Sequence, residues 1–200
     1  MDHSIPDEEL MSQVRSGVGE MLGELFERYQ VPLFNFYCKL TGDRSLSEDL
    51  VQEVFFRILK YRHSYRPETP FRAWMYQIAR NARIDYLRRR RPETALESEM
   101  EPAVFPSDTA QEQQEATLLR RALLELPEEK REVLVLSRFQ GLKYEQIAEL
   151  MGCEVNTVKV RVHRALHELR EKFSAISGNK IWNKQGRGGP ARLPNPGSLQ

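Results

Sequence analysis

Along nearly all of this chain apolar residues return every three to four positions, the period of an α-helix, and not every second one as in a strand. The clearest pattern spans residues 144–173. Ile147, Ala148 and Met151 form the apolar side of a short helix, and Gly152 supplies a turn. Val158, Val162, Ala165 and Leu169 then fall at i, i+4, i+7 and i+11, a single stripe on a longer helix. The opposite side carries Asn156, Val160, His163, Arg164 and His167, flanked by Lys159 and Arg161. A short helix, a tight turn and a basic second helix form the pattern of a helix-turn-helix that lays its second helix in the major groove of DNA. The plainer alternative is an amphipathic helix pair.

The same period predicts helices over residues 8–29 and 31–41, with Pro32 at a helix start, where proline is tolerated. Residues 41–44 read as a turn. Ser45 and Glu48 have the spacing of a capping box, opening a helix to about residue 62. Two prolines, Pro67 and Pro70, mark residues 63–70 as a loop, and a further helix covers 71 to about 90. Residues 92–110 hold Pro92, Pro102 and Pro106 with few bulky apolar side chains and read as a flexible linker. Helices over about 111–126 and 127–140 precede the helix-turn-helix, and residues 177–200 read as a disordered basic tail. The expected architecture is all-α, with domains at 1–91 and 111–176 joined by the acidic linker.

Charge refines this picture. The 200 residues carry a net charge of only +1, but it is segregated. Residues 1–30 hold seven acidic side chains and two Arg, and residues 92–116 hold seven acidic side chains with no Lys or Arg. Residues 80–92 carry six Arg and one Asp, and residues 177–200 four basic side chains and no acidic one. Such a chain touches phosphate locally while its other surfaces repel it. Cys38 and Cys153 lie far apart in apolar settings, which fits a reducing cytoplasm; neither a signal peptide nor a bilayer-length apolar run is present.

Two further constellations bear on function. In the helix after Ser45, Leu50, Val51, Val54, Phe55 and Ile58 share one face and make a core stripe. Asp49, Gln52, Glu53, Phe56 and Lys60 share the other. A large aromatic among charges suits an apolar anchor in a partner surface; a core that wraps wider is the bland reading. In residues 71–91, Tyr76, Arg80 and Arg83 fall on one stripe that Arg88 to Arg91 extend, while Trp74, Ile78 and Ala82 read as core. Arginines neutralise phosphates and aromatic faces stack on unpaired bases, a composition suited to single-stranded nucleic acid. A solvated basic helix, or aromatics that are all core, would leave the same trace. His163 and His167 have zinc-ligand spacing, but no third ligand or HExxH accompanies them. No catalytic arrangement and no cofactor motif is evident, so no enzymatic activity and no cofactor are expected.

The segments SEDLVQEVFFRILKY (47–61), FRAWMYQIARNARIDYLRRRR (71–91), LPEEKREVLVLSRFQGLKYEQIAELMG (126–152) and NTVKVRVHRALHELR (156–170) together resemble the extracytoplasmic-function (group IV) sigma factors, which pair a sigma-2 with a sigma-4 domain. The resemblance implies a transcription initiation factor that binds core RNA polymerase, directs it to promoters and opens the duplex. It places Asp49, Gln52, Glu53 and Phe56 in the polymerase-binding surface. It makes Tyr65, Arg66, Tyr76, Arg80, Asn81 and Arg83 candidates for the single-stranded −10 element, with Asn81 lining a pocket for a flipped-out base. It assigns the duplex −35 element to Lys159, Val160, His163 and Arg164, with Thr157 and Arg161 on phosphates. It further implies an anti-sigma factor as partner.

Three positions depart from the family pattern. Asn156 stands where Gly is usual, Val160 where a small polar residue is common, and Lys143 where Ser or Thr caps the helix. Val160 would then meet a thymine methyl in place of a hydrogen bond. The acidic linker suits either a mimic of nucleic acid in a basic channel or a solvated tether. The competing functional reading is a helix-turn-helix regulator that acts without polymerase; it leaves Phe56 and residues 74–91 unexplained. An interaction protein using helical grooves leaves the basic last helix unexplained.

Overall fold

A computed structural model describes residues 5–89 and 110–178, and these fall into two compact units. The first contains α1 (Asp7–Ser16), α2 (Glu20–Thr41), α3 (Arg44–Tyr61), a 3-10 turn (Arg62–Ser64) and α4 (Phe71–Arg89). The second contains α5 (Ala110–Leu124), α6 (Glu128–Leu134), a π-helical turn (Val135–Phe139), α7 (Tyr144–Met151) and α8 (Val155–Ser177). No strand occurs among the described residues. The expected linker up to residue 109, Arg90, Arg91 and the tail from residue 179 lie outside them.

In the first unit α2 packs on α1 and α3, and α3 packs on α4. The expected stripe of α3 is buried throughout, from Leu50 to Ile58. It closes against Leu33, Phe36, Tyr37 and Leu40 of α2 and Met75, Ala79 and Ala82 of α4 in a single core. The Tyr37 hydroxyl donates to the Ala79 carbonyl at 2.9 Å, so a buried polar group ties α2 to α4 while remaining satisfied.

Three expectations about element ends are corrected. The first helix does not run to residue 29. It stops at Ser16, where Gly17 takes φ +107°, and α2 then continues through Pro32 without a break. An interior proline costs about 3 kcal/mol or more. Burial of Tyr29 and Leu33 on either side of it, with Phe36 and Tyr37 beyond, outweighs that cost. Ser45 does not cap α3. Gly42 ends α2 and leaves Asp43 extended, and its Oδ1 accepts the Leu46 N–H at 2.9 Å. Glu48 pairs instead with Arg44 at 3.1 Å. The helix expected over 127–140 is α-helical only to Leu134 and finishes in the π turn, where the Gln140 N–H reaches the Val135 carbonyl at 3.0 Å.

In the second unit α8 packs against α5, α6 and α7. Val158, Val162 and Ala165 are buried as expected, and Leu169 is half-buried. On α7, Ile147 and Ala148 are buried, but Leu150 completes the apolar side and Met151 is only half-buried. Gly152 takes φ +63°, a left-handed backbone that a Cβ disfavours. This lets the Cys153 N–H reach back to the Ala148 carbonyl at 2.9 Å and turns the chain into α8.

Candidate functional site

The first candidate surface is the outer side of α3. Asp49 and Gln52 are exposed, and Phe56 is 60 % exposed among charged neighbours. Leu59, one turn on, is also exposed, so the apolar patch extends beyond the single anchor expected. Glu53 differs from its neighbours: it is half-buried and accepts from Arg57 Nε at 2.6 Å. Arg57 Nη1 in turn reaches Asp85 on α4 at 2.8 Å. Burial works against the Arg57 charge, but its bonds to Asp85 and Glu53 prevail and hold its pKa above the ordinary value. The hydrogen bond from Arg57 holds the Asp85 carboxyl below the usual carboxylate range. The i,i+4 spacing of Glu53 and Arg57 is visible in the sequence, but Asp85, 28 residues from Arg57, is not linked to them by any local pattern.

The second surface comprises the loop of residues 65–70 and α4. Arg66 and Asn81 are exposed; the Asn81 Oδ1 accepts from Gln77 Nε2 at 3.3 Å, and Arg80 is half-buried. Three expected contacts are corrected. Tyr65 is 1 % exposed, Tyr76 0 % and Arg83 5 %. The Tyr65 ring lies 5.1 Å from Trp74, and Tyr76 stands edge-on to Phe36 at 5.2 Å. Burial, with help from the nearby Glu8 and Asp7 charges, pushes the Tyr65 hydroxyl up to about 12, and burial also raises Tyr76. In this conformation these aromatics shape the loop and the core instead of offering faces to bases. The helical spacing of Tyr76 and Arg83 matched Arg80, but the core wraps further around α4 than one stripe.

The third surface is the outward side of α8. Lys159, His163 and Arg164 are exposed, and Val160 is 48 % exposed. Asn156 and Thr157 lie in the first helical turn, where no acidic side chain is present. The inward side is pinned by ion pairs: Lys130 of α6 meets Glu168 at 2.5 Å, and Glu125 of α5 lies 3.8 Å from Lys172. Arg161 is half-buried and leans toward Glu129 at 3.9 Å, so any phosphate contact competes with that carboxylate. His167 Nδ1 lies 3.5 Å from Glu171 within the same helix. Among the described residues no three His, Cys, Asp or Glu side chains converge as metal ligands. The start of α7 is firmer than Lys143 suggests, because Gln146 Oε1 accepts the Lys143 N–H at 2.9 Å. No helix among the described residues is long and apolar enough to cross a membrane.

Comparison with known proteins matches both units. The family model for sigma-70 region 2 covers residues 25–93, and that for sigma-70 region 4 covers residues 116–169. The RNA polymerase sigma factor CarQ of Myxococcus xanthus is 32% identical over 169 residues, which is 83% of this chain and 97% of that protein. The ECF RNA polymerase sigma factor EcfG of Rhodopseudomonas palustris is 37% identical over 144 residues, 70% of this chain and 76% of that one. Among solved structures, the Bartonella quintana sigma factor RpoE, in complex with the anti-sigma factor NepR, aligns with a TM-score of 0.64 at 26% identity, covering 76% of this chain and 96% of that chain. CnrH, in complex with the cytosolic domain of CnrY, also gives 0.64 at 26% identity, over 87% and 98% of the two chains. The order of the two matched regions, the all-helical fold and these relatives agree: the chain belongs to the sigma-70 family, in its extracytoplasmic-function group of RNA polymerase sigma factors.

Proposed function

We propose that this sigma factor docks on core RNA polymerase through Asp49, Gln52, Glu53 and Phe56, reads the unpaired −10 strand with Arg66, Arg80 and Asn81, and reads the −35 duplex with α8. The exposed Phe56 carries this reading most directly. A solvated aromatic with charges around it, on a helix whose other face is fully buried, is costly to a lone protein and useful to a bound one. Tyr65, Tyr76 and Arg83 support the −10 site from beneath. Lys159, Val160, His163 and Arg164 meet base edges in the major groove, and Thr157 meets a phosphate. Opening of the duplex follows from tighter binding to the unpaired strand than to the paired one, so the protein shifts a population and catalyses no covalent step.

The residues of 1–91 and 111–176 divide these tasks, and the intervening acidic segment tethers them on polymerase. Work of this kind belongs in the cytoplasm. RpoE is a sigma factor held by the anti-sigma factor NepR, and this supports an anti-sigma factor as a partner here. Promoter-dependent run-off transcription tests the reading: core RNA polymerase plus this protein gives specific transcripts from a genomic promoter pool. Folded protein that yields no specific transcript sinks it and favours a regulator acting on duplex DNA alone.

A further inference from the structure

Helix α1 precedes residue 25, where the match to the sigma-70 region 2 model begins, yet it packs on the 3-10 turn before the loop of residues 65–70 and reaches the start of α4. Glu8, in its first turn, brings Oε1 within 3.0 Å of the backbone nitrogen of Phe71, the first residue of α4. The first N–H groups of a helix have no carbonyl partner within it. Pro70, which precedes Phe71, has no side chain able to accept a hydrogen bond. Glu8 therefore caps α4 from 63 residues away, with a negative charge at the positive end of the helix.

The cap is itself held in place. Asp7 accepts from Arg28 Nη1 at 2.8 Å and from the Tyr29 hydroxyl, and Arg28 Nη1 also donates to the Ile5 carbonyl at 2.7 Å. The Tyr29 ring stands edge-on to Phe71 at 5.4 Å. The loop of residues 65–70 closes against this frame. The buried Tyr65 donates its hydroxyl to the Thr69 carbonyl at 2.9 Å, and the Thr69 N–H donates to the Arg66 carbonyl at 2.9 Å. Arg66 is left on the exposed rim of an otherwise ordered turn.

We propose that Glu8 is a positioning residue for −10 recognition: by capping α4 it fixes the first turn of that helix and the loop before it, so that Arg66 and Asn81 meet the strand already arranged. This rests on the reading of the first unit as the −10 reader. An ordered loop loses less freedom on binding, so the effect falls on strand affinity. The Phe71 N–H that Glu8 accepts belongs to α4 and not to the α3 face assigned to polymerase, so docking is expected to be unaffected.

The test uses holoenzyme reconstituted with wild-type protein, Glu8→Ala or Glu8→Gln. The probe is a fluorescent single-stranded oligonucleotide carrying the non-template −10 segment of a promoter that the wild-type holoenzyme transcribes. Glu8→Ala weakens strand binding roughly three- to tenfold, as loss of a helix cap does. Affinity for core polymerase stays unchanged. Glu8→Gln, which keeps an acceptor oxygen, stays near wild type. Should Glu8→Ala not fold, Glu8→Asp, one methylene short of Phe71, replaces it with the same expected loss. Strand binding equal to wild type in the Ala or Asp variant overturns the inference. So does a parallel loss of core binding, or a Gln variant as weak as the shortened one. A wild-type holoenzyme that binds no strand overturns the −10 reading itself.

Discussion

Phe56 combines a large apolar side chain with a position on α3 where the protein gives it little to pack against. Removing it leaves little packing to lose, so Phe56→Ala keeps the thermal stability of the wild type. Against a partner the same side chain is an anchor, and burying it contributes about 2–3 kcal/mol. Phe56→Ala is therefore expected to weaken core polymerase binding about tenfold or more, measured by titrating labelled protein with core enzyme. Undiminished affinity would remove Phe56 from the docking surface. Tyr65 and Tyr76 show the converse: both looked like nucleic-acid contacts beside their arginines, and both are interior. A pattern of residue types records chemistry, but which way a side chain points depends on what packs around its helix.

Two elements meet at the Arg57–Asp85 pair, which joins α3 to α4. Asp85 ionises more readily when folded than when unfolded, because its charge is bonded to Arg57. The pair therefore adds stability above the usual carboxylate range, and that stability is lost as pH falls into and below it. Asp85→Asn should flatten the acid limb of a urea-midpoint profile against pH, whereas an unchanged limb would show that the pair contributes nothing in solution. The turn between α7 and α8 makes a second test. A Cβ at Gly152 meets nothing within 4 Å, so Gly152→Ala acts through backbone strain alone. Placing an L-residue at φ +63° is expected to destabilise the second unit by about 1–2 kcal/mol, read as a lower unfolding midpoint.

For the whole molecule, the proposed division of tasks means that two DNA-reading ends of modest affinity would suffice with polymerase holding both. Linking two binding events makes the second intramolecular, so neither end needs high affinity alone. Arg164, exposed on α8, should then act mainly through phosphate and base contacts to duplex DNA. Arg164→Ala is expected to weaken holoenzyme binding to promoter duplex and to reduce the slope of log affinity against log salt by about 1 if it contacts a phosphate. A change in affinity with an unchanged slope would confine Arg164 to the base contact proposed for it. The segregated charge of the chain suits this division, with basic side chains on α4 and α8 and acidic side chains on α1 and in the segment between the units.

The amino-acid sequence by itself determined the all-helical class, the stripe from Leu50 to Ile58, the turn at Gly152 and the basic face of α8. These are local: helical period, a left-handed glycine and i,i+4 neighbours all lie within a few residues. Only the tertiary structure decided that α2 continues through Pro32, because packing on both sides of the proline outweighs its lost hydrogen bond. It also turned Tyr65, Tyr76 and Arg83 inward, joined Arg57 to Asp85, and brought Glu8 to Phe71. Each of these joins residues tens of positions apart, or depends on how widely the core wraps a helix. Such relations are set by the mutual packing of α1 to α4, and a local pattern along the chain does not contain it.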